Sequence, residues 1–103
     1  MKGYASRMLV AEEGRQPLGF ITCLEKSING HRYAVIDLLA VESNRRSKGI
    51  GRLLVSRMLE ELAGRVDEVY VGTPQTNLPA VNLYASLGFK AVSLTLTLHK
   101  KVG

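Results

Sequence analysis

The spacing of apolar side chains changes at Ile50, and that change limits the fold more than any other feature of the chain. From there on Ile50, Leu53, Leu54, Met58 and Leu62 recur three or four residues apart, with Arg52, Ser56, Arg57, Glu60 and Glu61 between them. This is the period of an amphipathic helix, and Gly64 supplies its stop. Ahead of it lie three apolar, β-rich runs, YASRMLVAEE, QPLGFITCLEK and HRYAVIDLLAV, separated by Glu13-Gly14-Arg15 and by Ser27-Ile28-Asn29-Gly30. Asn-Gly tolerates positive φ at both positions, so it marks a tight hairpin. After the helix, EVYVGT reads as a strand. Asn77-Leu78-Pro79 opens a second helix, with Asn77 as its cap and Ala80, Leu83, Tyr84 and Leu87 on one face. Gly88 ends it, and KAVSLTLTLHK reads as one closing strand. The order βββαβαβ predicts an α/β fold in which helices cover a sheet of mixed strand direction.

A chain of 103 residues has room for one domain, taken as residues 1–103. No apolar run approaches the ~20 residues of a membrane helix, and the N-terminus MKGYASRMLVAEEG lacks the pattern of a secretory signal, so a cytoplasmic location is expected. The single cysteine, Cys23, sits in the apolar run FITCLE and reads as a buried structural thiol. A net charge of +5 favours an anionic ligand. A nucleic-acid partner fits poorly, because aromatic residues are 6% of the chain and tryptophan is absent, which leaves no aromatic platform among the basic residues.

The stretch NRRSKGIGRLL places Arg45, Arg46, Lys48 and Arg52 around the start of the first helix, with glycine at 49 and 51. Unpaired N–H groups of a first helical turn attract anions, and glycine keeps side chains out of the way. A tight turn alone would also use these glycines. A Walker A loop, G-x-x-x-x-G-K-S/T, is absent, and the dinucleotide pattern G-x-G-x-x-G fails because position 54 is leucine.

LAVESNRRSKGIGRLL resembles the acyl-CoA-binding motif of the GNAT N-acetyltransferases, R/Q-x-x-G-x-G/A after an apolar strand, here Arg46-Ser47-Lys48-Gly49-Ile50-Gly51. NLPAVNLYASLGF, Asn77 to Phe89, is similar to the family's N-x-x-A-x-x-L-Y-x-x-x-G-F helix. The two blocks together cover about residues 33 to 98. The resemblance implies a splayed cleft between the strand ending at Val41 and the strand EVYVGT, with acetyl-CoA as cosubstrate lying in it. Backbone groups of Leu39, Ala40 and Val41 would pair with the pantetheine amides, and those from Arg46 to Gly51, with Arg52 nearby, would hold the pyrophosphate. It also implies a chain short at its N-terminus, without the strand and one or two helices with which members begin. A sheet face uncovered in that way would favour a homodimer.

Acetyl transfer to a small-molecule or peptide amine needs a neutral nitrogen and a proton for the departing thiolate. Tyr84, at the family's L-Y position, is the candidate acid, its phenol near the ordinary pKa of about 10; it also reads as a core tyrosine. Asp37 is the candidate base, placed by period-two alternation on the same side as Leu39 and Val41. A simple pairing with Arg32 or another basic neighbour would equally explain it. Asn77 and Asn82 are further cofactor contacts. His31 and His99 have no partner at metal-ligand spacing, and no metal site is expected. The reading is an acetyl-CoA-dependent N-acetyltransferase working by direct attack in a ternary complex. The alternative is a GNAT-like subunit that binds acyl-CoA without turnover.

Overall fold

Two short turns lay down the first three strands. β1 (Arg7–Glu13) returns through Gly14-Arg15 as β2 (Gln16–Ile28), and Asn29-Gly30, at φ 51° and 83°, turns β2 into β3 (His31–Val41). The computed structural model describes residues 7–42, 49–73, 76–91 and 97–102. The segment before Arg7, expected to start the first strand at Tyr4, lies outside them.

α1 (Ile50–Leu62) follows, then β4 (Glu68–Gly72), α2 (Leu78–Ser86), β5 (Lys90–Ala91) and β6 (Thr97–Lys101). The sheet runs β1-β2-β3-β4-β6-β5, with β3 and β4 parallel and every other pair antiparallel. This is the mixed α/β sheet expected from the element order. The run read as one closing strand is instead a hairpin, because Lys90 pairs with His99 and Ala91 with Leu98. Its leucine and threonine alternation fits a strand throughout and carries no glycine or proline to mark a turn.

One face of the sheet is dry. Ile21, Cys23, Ala34, Ile36, Val69, Val71 and Leu98 meet Leu54, Val55, Met58 and Leu62 of α1 and Tyr84 and Phe89 in a single buried cluster. Each large aliphatic side chain buried there contributes about 1.5–3 kcal/mol. Leu53, assigned to the apolar face of the helix, is 51% exposed, and Val55 is fully buried in its place. At 3.6 residues per turn Gly51, Leu54, Val55, Met58 and Leu62 form the stripe, and Leu53 falls on its far side. The Cys23 thiol points at Met58 Sδ, 3.7 Å away, and burial pushes its pKa up to about 11, as a structural thiol requires. The opposite, outer face carries Met8, Val10 and Leu38, each about half exposed.

At the foot of β3 and β4 the two histidines find a structural role. His99 Nδ1 lies 2.6 Å from Glu68 Oε2, His31 Nε2 lies 3.0 Å from Oε1, and the Tyr70 hydroxyl donates to Oε1 at 3.2 Å. The hydrogen bond with His99, then that from Tyr70, holds the Glu68 carboxyl below its ordinary range. A depressed carboxyl stabilises the fold above its unfolded pKa, and the gain is lost as pH falls through the folded value. Glu68→Gln should therefore lower stability at pH 7 by about 1.5–3 kcal/mol and flatten the acid loss below about pH 4.5. Thermal unfolding of both proteins at pH 7 and pH 3 measures this; parallel curves would remove Glu68 from the acid transition.

Candidate active site

The parallel ladder between β3 and β4 covers only Tyr33–Glu68 to Ile36–Val71, and β3 then continues to Val41 on its own. At the same level the β2–β3 register slips by one residue: Cys23 pairs with Ile36 but Thr22 with Leu38, which leaves Asp37 as the extra residue of a β-bulge. Below the bulge Ala34 and Ile36 are buried; above it Leu39 and Val41 pack on the same core. Asp37 and Leu38 are thus both turned to the outer face. The expectation that Asp37 shares a side with Leu39 and Val41 fails, because the bulge resets the alternation. The pairing with Arg32 also fails: that guanidinium sits 3.7 Å from Asp67, and among the described residues Asp37 has no ion-pair partner. Sequence reasoning passed over Thr22, whose hydroxyl stands beside the bulge; its one signal was a polar residue inside an apolar run.

Above the fork the backbone of β3 alternates in direction. The Glu42 N–H donates to the Leu18 carbonyl at 2.8 Å, so residues 42, 40 and 38 face β2 while Val41 and Leu39 aim their N–H and C=O groups into the gap. Ala40 is thereby removed from the set that lines the gap with backbone. Its carbonyl oxygen lies 2.6 Å from where a Cβ on Gly19 of β2 would stand.

α1 begins beside this edge. Gly49 adopts φ 84°, the left-handed region that a side chain disfavours, and no side chain among the described residues caps the helix. No acidic residue lies in its first turn, so the N–H groups of Ile50, Gly51 and Arg52 present an uncompensated positive end. Ile50 is half-buried against the core. Arg46, Ser47 and Lys48, assigned to the phosphate cradle, lie outside the described residues. Arg52, assigned with them, has its guanidinium on Ser86 Oγ of α2 at 2.6 Å, and Ser86 donates in turn to the Leu83 carbonyl. Its charge ties the two helices together. Asn77 caps α2 as expected, its Oδ1 accepting from the Ala80 N–H at 3.3 Å, while Asn82 is exposed.

Tyr84 is 3% exposed and meets Phe89 edge-on, ring centroids 5.3 Å apart. It is a core tyrosine, in the cluster that also holds Ile36 and Val71, the last paired residues below the fork. Burial pushes its phenol up to about 12, so the expected match between a pKa near 10 and a leaving thiolate does not hold in this environment. The group keeps its proton at every ordinary pH and can act only as a donor.

Both the sequence and the fold are similar to those of known proteins. The family model of the GNAT acetyltransferases matches residues 2–89. The chain belongs to the GNAT family. It is 39% identical over 82 residues to N-alpha-acetyltransferase 30 of Xenopus laevis, covering 78% of this chain and 30% of that protein. It is 48% identical over 52 residues to mycothiol acetyltransferase of Kineococcus radiotolerans, covering 50% of this chain and 17% of that one. The chain thus spans under a third of the length of either relative. Among solved structures, the NatC complex bound to Gag peptide and CoA matches with a TM-score of 0.81 at 27% identity, over 90% of this chain and 66% of that one. Arabidopsis thaliana Naa50 in complex with a bisubstrate analogue, CoA-Ac-MVNAL, matches with a TM-score of 0.78 at 20% identity, over 90% and 71%, and shares the fold.

Gly51 separates two explanations of the glycines. A Cβ there would meet Leu83 Cδ2 at 3.5 Å and Val41 Cγ2 at 3.9 Å, ordinary contacts. The fold itself therefore accepts alanine, which adds about 0.5–1 kcal/mol of helix stability. Gly51→Ala, which the motif admits, should melt higher than the parent and still bind acetyl-CoA, whereas the larger Gly51→Val should bind it more weakly, as followed by thermal unfolding and calorimetry. Unchanged affinity in Gly51→Val would mean that the glycine leaves no room a ligand needs.

Proposed function

We propose that this domain transfers an acetyl group from acetyl-CoA to a primary amine. One observation carries the reading: β3 parts from β4 at Asp37 beside a helix with no side-chain cap among the described residues, so strand backbone and helical N–H groups without a partner among those residues face the same region. In this reading Leu39 and Val41 pair with the pantetheine amides as an added strand would, and the first turn of α1 takes the pyrophosphate. Gly49 and Gly51 keep that approach clear. Asn77 and Asn82 line the α2 side of the cofactor, and Arg46, Ser47 and Lys48 complete the cradle by motif.

Asp37, exposed on the outer side of the fork, takes the proton that makes the amine a nucleophile, directly or through water. The nitrogen attacks the thioester carbonyl, the C–N bond forms, the C–S bond breaks, the nitrogen releases its surplus proton to water, and the thiolate collects a proton from a donor that water recharges after the product leaves. Tyr84 is the donor. Its raised pKa would make it a poor acid toward a solvated thiolate, but a thiolate formed in the same dry space is itself raised by desolvation. The acceptor is an amino acid or peptide α-amine, in keeping with the peptide and amino-acid acetyltransferases among the relatives and neighbours. Self-association belongs to the same reading, and light scattering should then give twice the chain mass at high concentration; a monomer would exclude it.

Acetyl-CoA should raise the melting temperature by mass action. Tyr84→Phe keeps the ring in the core, so melting temperature and acetyl-CoA affinity should stay close to the parent while kcat falls about 10²–10⁴-fold. The assay uses the unblocked peptide MVNAL and L-methionine sulfone as acceptors. A kcat that survives the substitution would reduce Tyr84 to a packing residue. Acetyl-CoA binding without turnover on a broad amine panel would favour a non-catalytic acyl-CoA-binding subunit.

A further inference from the structure

Around the bulge the outer face of the sheet is apolar except at one place. Met8, Val10, Phe20, Leu38 and Ala40 line it from β1, β2 and β3. Between Met8 and Leu38, its register partners on either side, stands Thr22. Ile21 and Cys23 are fully buried on the inner face, so Thr22 points outward, yet it is only 6% exposed and its Oγ1 has no hydrogen-bond partner among the described residues. Leaving a buried hydroxyl unpaired costs about 1–3 kcal/mol. Valine has the same shape, so on stability alone valine is the better residue here.

The bulge sets Asp37 and Leu38 together opposite Thr22. A hydroxyl and a carboxylate therefore stand at neighbouring register positions on one face, at the level where β3 leaves β4, a polar notch in an otherwise apolar run of side chains. We propose that this notch seats the reacting amine of the acceptor, with Thr22 Oγ1 accepting one of its N–H groups and Asp37 another. The inference rests on the acetyl-transfer reading and deepens it. The two acceptors differ in what they do next. Asp37 removes a proton from the ammonium; the hydroxyl, which cannot be protonated at ordinary pH, goes on accepting from the neutral amine and keeps its lone pair directed into the fork. Thr22 is thus an acceptor-binding residue that costs the empty protein stability.

Thr22→Val and Thr22→Ser in the full chain test this, with acetyl-CoA, MVNAL peptide and L-methionine sulfone as probes. Thr22→Val should melt higher than the parent, bind acetyl-CoA unchanged, and raise the acceptor KM about tenfold or more while kcat changes little. Thr22→Ser should restore the KM. A lower melting temperature in Thr22→Val, or an unchanged acceptor KM, overturns the proposal. If the parent binds acetyl-CoA but calorimetry on the loaded protein detects neither acceptor, the notch proposal falls and the cofactor reading stands. If acetyl-CoA does not bind, both fall.

Discussion

Five residues of β3, Asp37 to Val41, extend beyond the last rung of its ladder with β4, and everything built around the fork depends on how their backbone is satisfied. On one edge β2 takes residues 38 and 40. On the other, Leu39 and Val41 present N–H and C=O groups that β4 has left. Backbone polar groups need partners, and water or an extended ligand supplies them equally well in geometry. An added strand-like ligand gains a further advantage, because it also covers the half-buried side chains of Leu39 and Val41. The bulge is the cause rather than an accompaniment: one extra residue on β3 bends the strand and ends its pairing at the level where side-chain direction changes.

The two helices show how differently the chain treats a helix end. α2 closes its own N-terminus with Asn77, and its buried residue Tyr84 is fixed by Phe89 and the core. α1 has no side-chain cap among the described residues, and Gly49 stands where a serine or aspartate in ordinary capping geometry contributes about 1 kcal/mol. Position 49 sits at φ 84°, which excludes the backbone conformation of an ordinary capping residue. The open end is thus built into the backbone, and the Arg52–Ser86 contact then holds α2 against α1 with Leu83 near Gly51.

Most of the fold was legible because the signals were local. Asn29-Gly30, the helical period from Ile50, Asn77 and Gly88 each act over one turn of chain, and each element formed where they placed it. The site was legible where a motif named residues and opaque where register decided direction. Nothing in YAVIDLLAV announces a bulge, since the extra residue is defined by its pairing with Thr22 and Cys23, some fifteen positions away. The faces of Asp37 and Ala40 followed from that pairing and could not be read from alternation. The tie from Arg52 to Ser86 was hidden for a similar reason, since Ser86 lies on the other helix. Leu53 and Val55 exchanged roles because the sequence shows a stripe without its centre.

The two groups proposed to handle protons stand in opposite environments, and the sheet itself separates them. Asp37 is on the outer face, exposed to water and to any arriving cation. Tyr84 is on the inner face at 3% exposure, with its pKa pushed up to about 12 by burial. A base needs contact with solvent to release what it collects, whereas a donor to a leaving thiolate gains from a space where that thiolate is poorly solvated and so more basic. At the fork β3 runs on past its last described rung with β4, which leaves a gap between the two strands in place of a hydrogen-bonded wall. In the proposed reaction, proton removal on the wet side and proton return on the dry side both follow from one missing stretch of strand pairing.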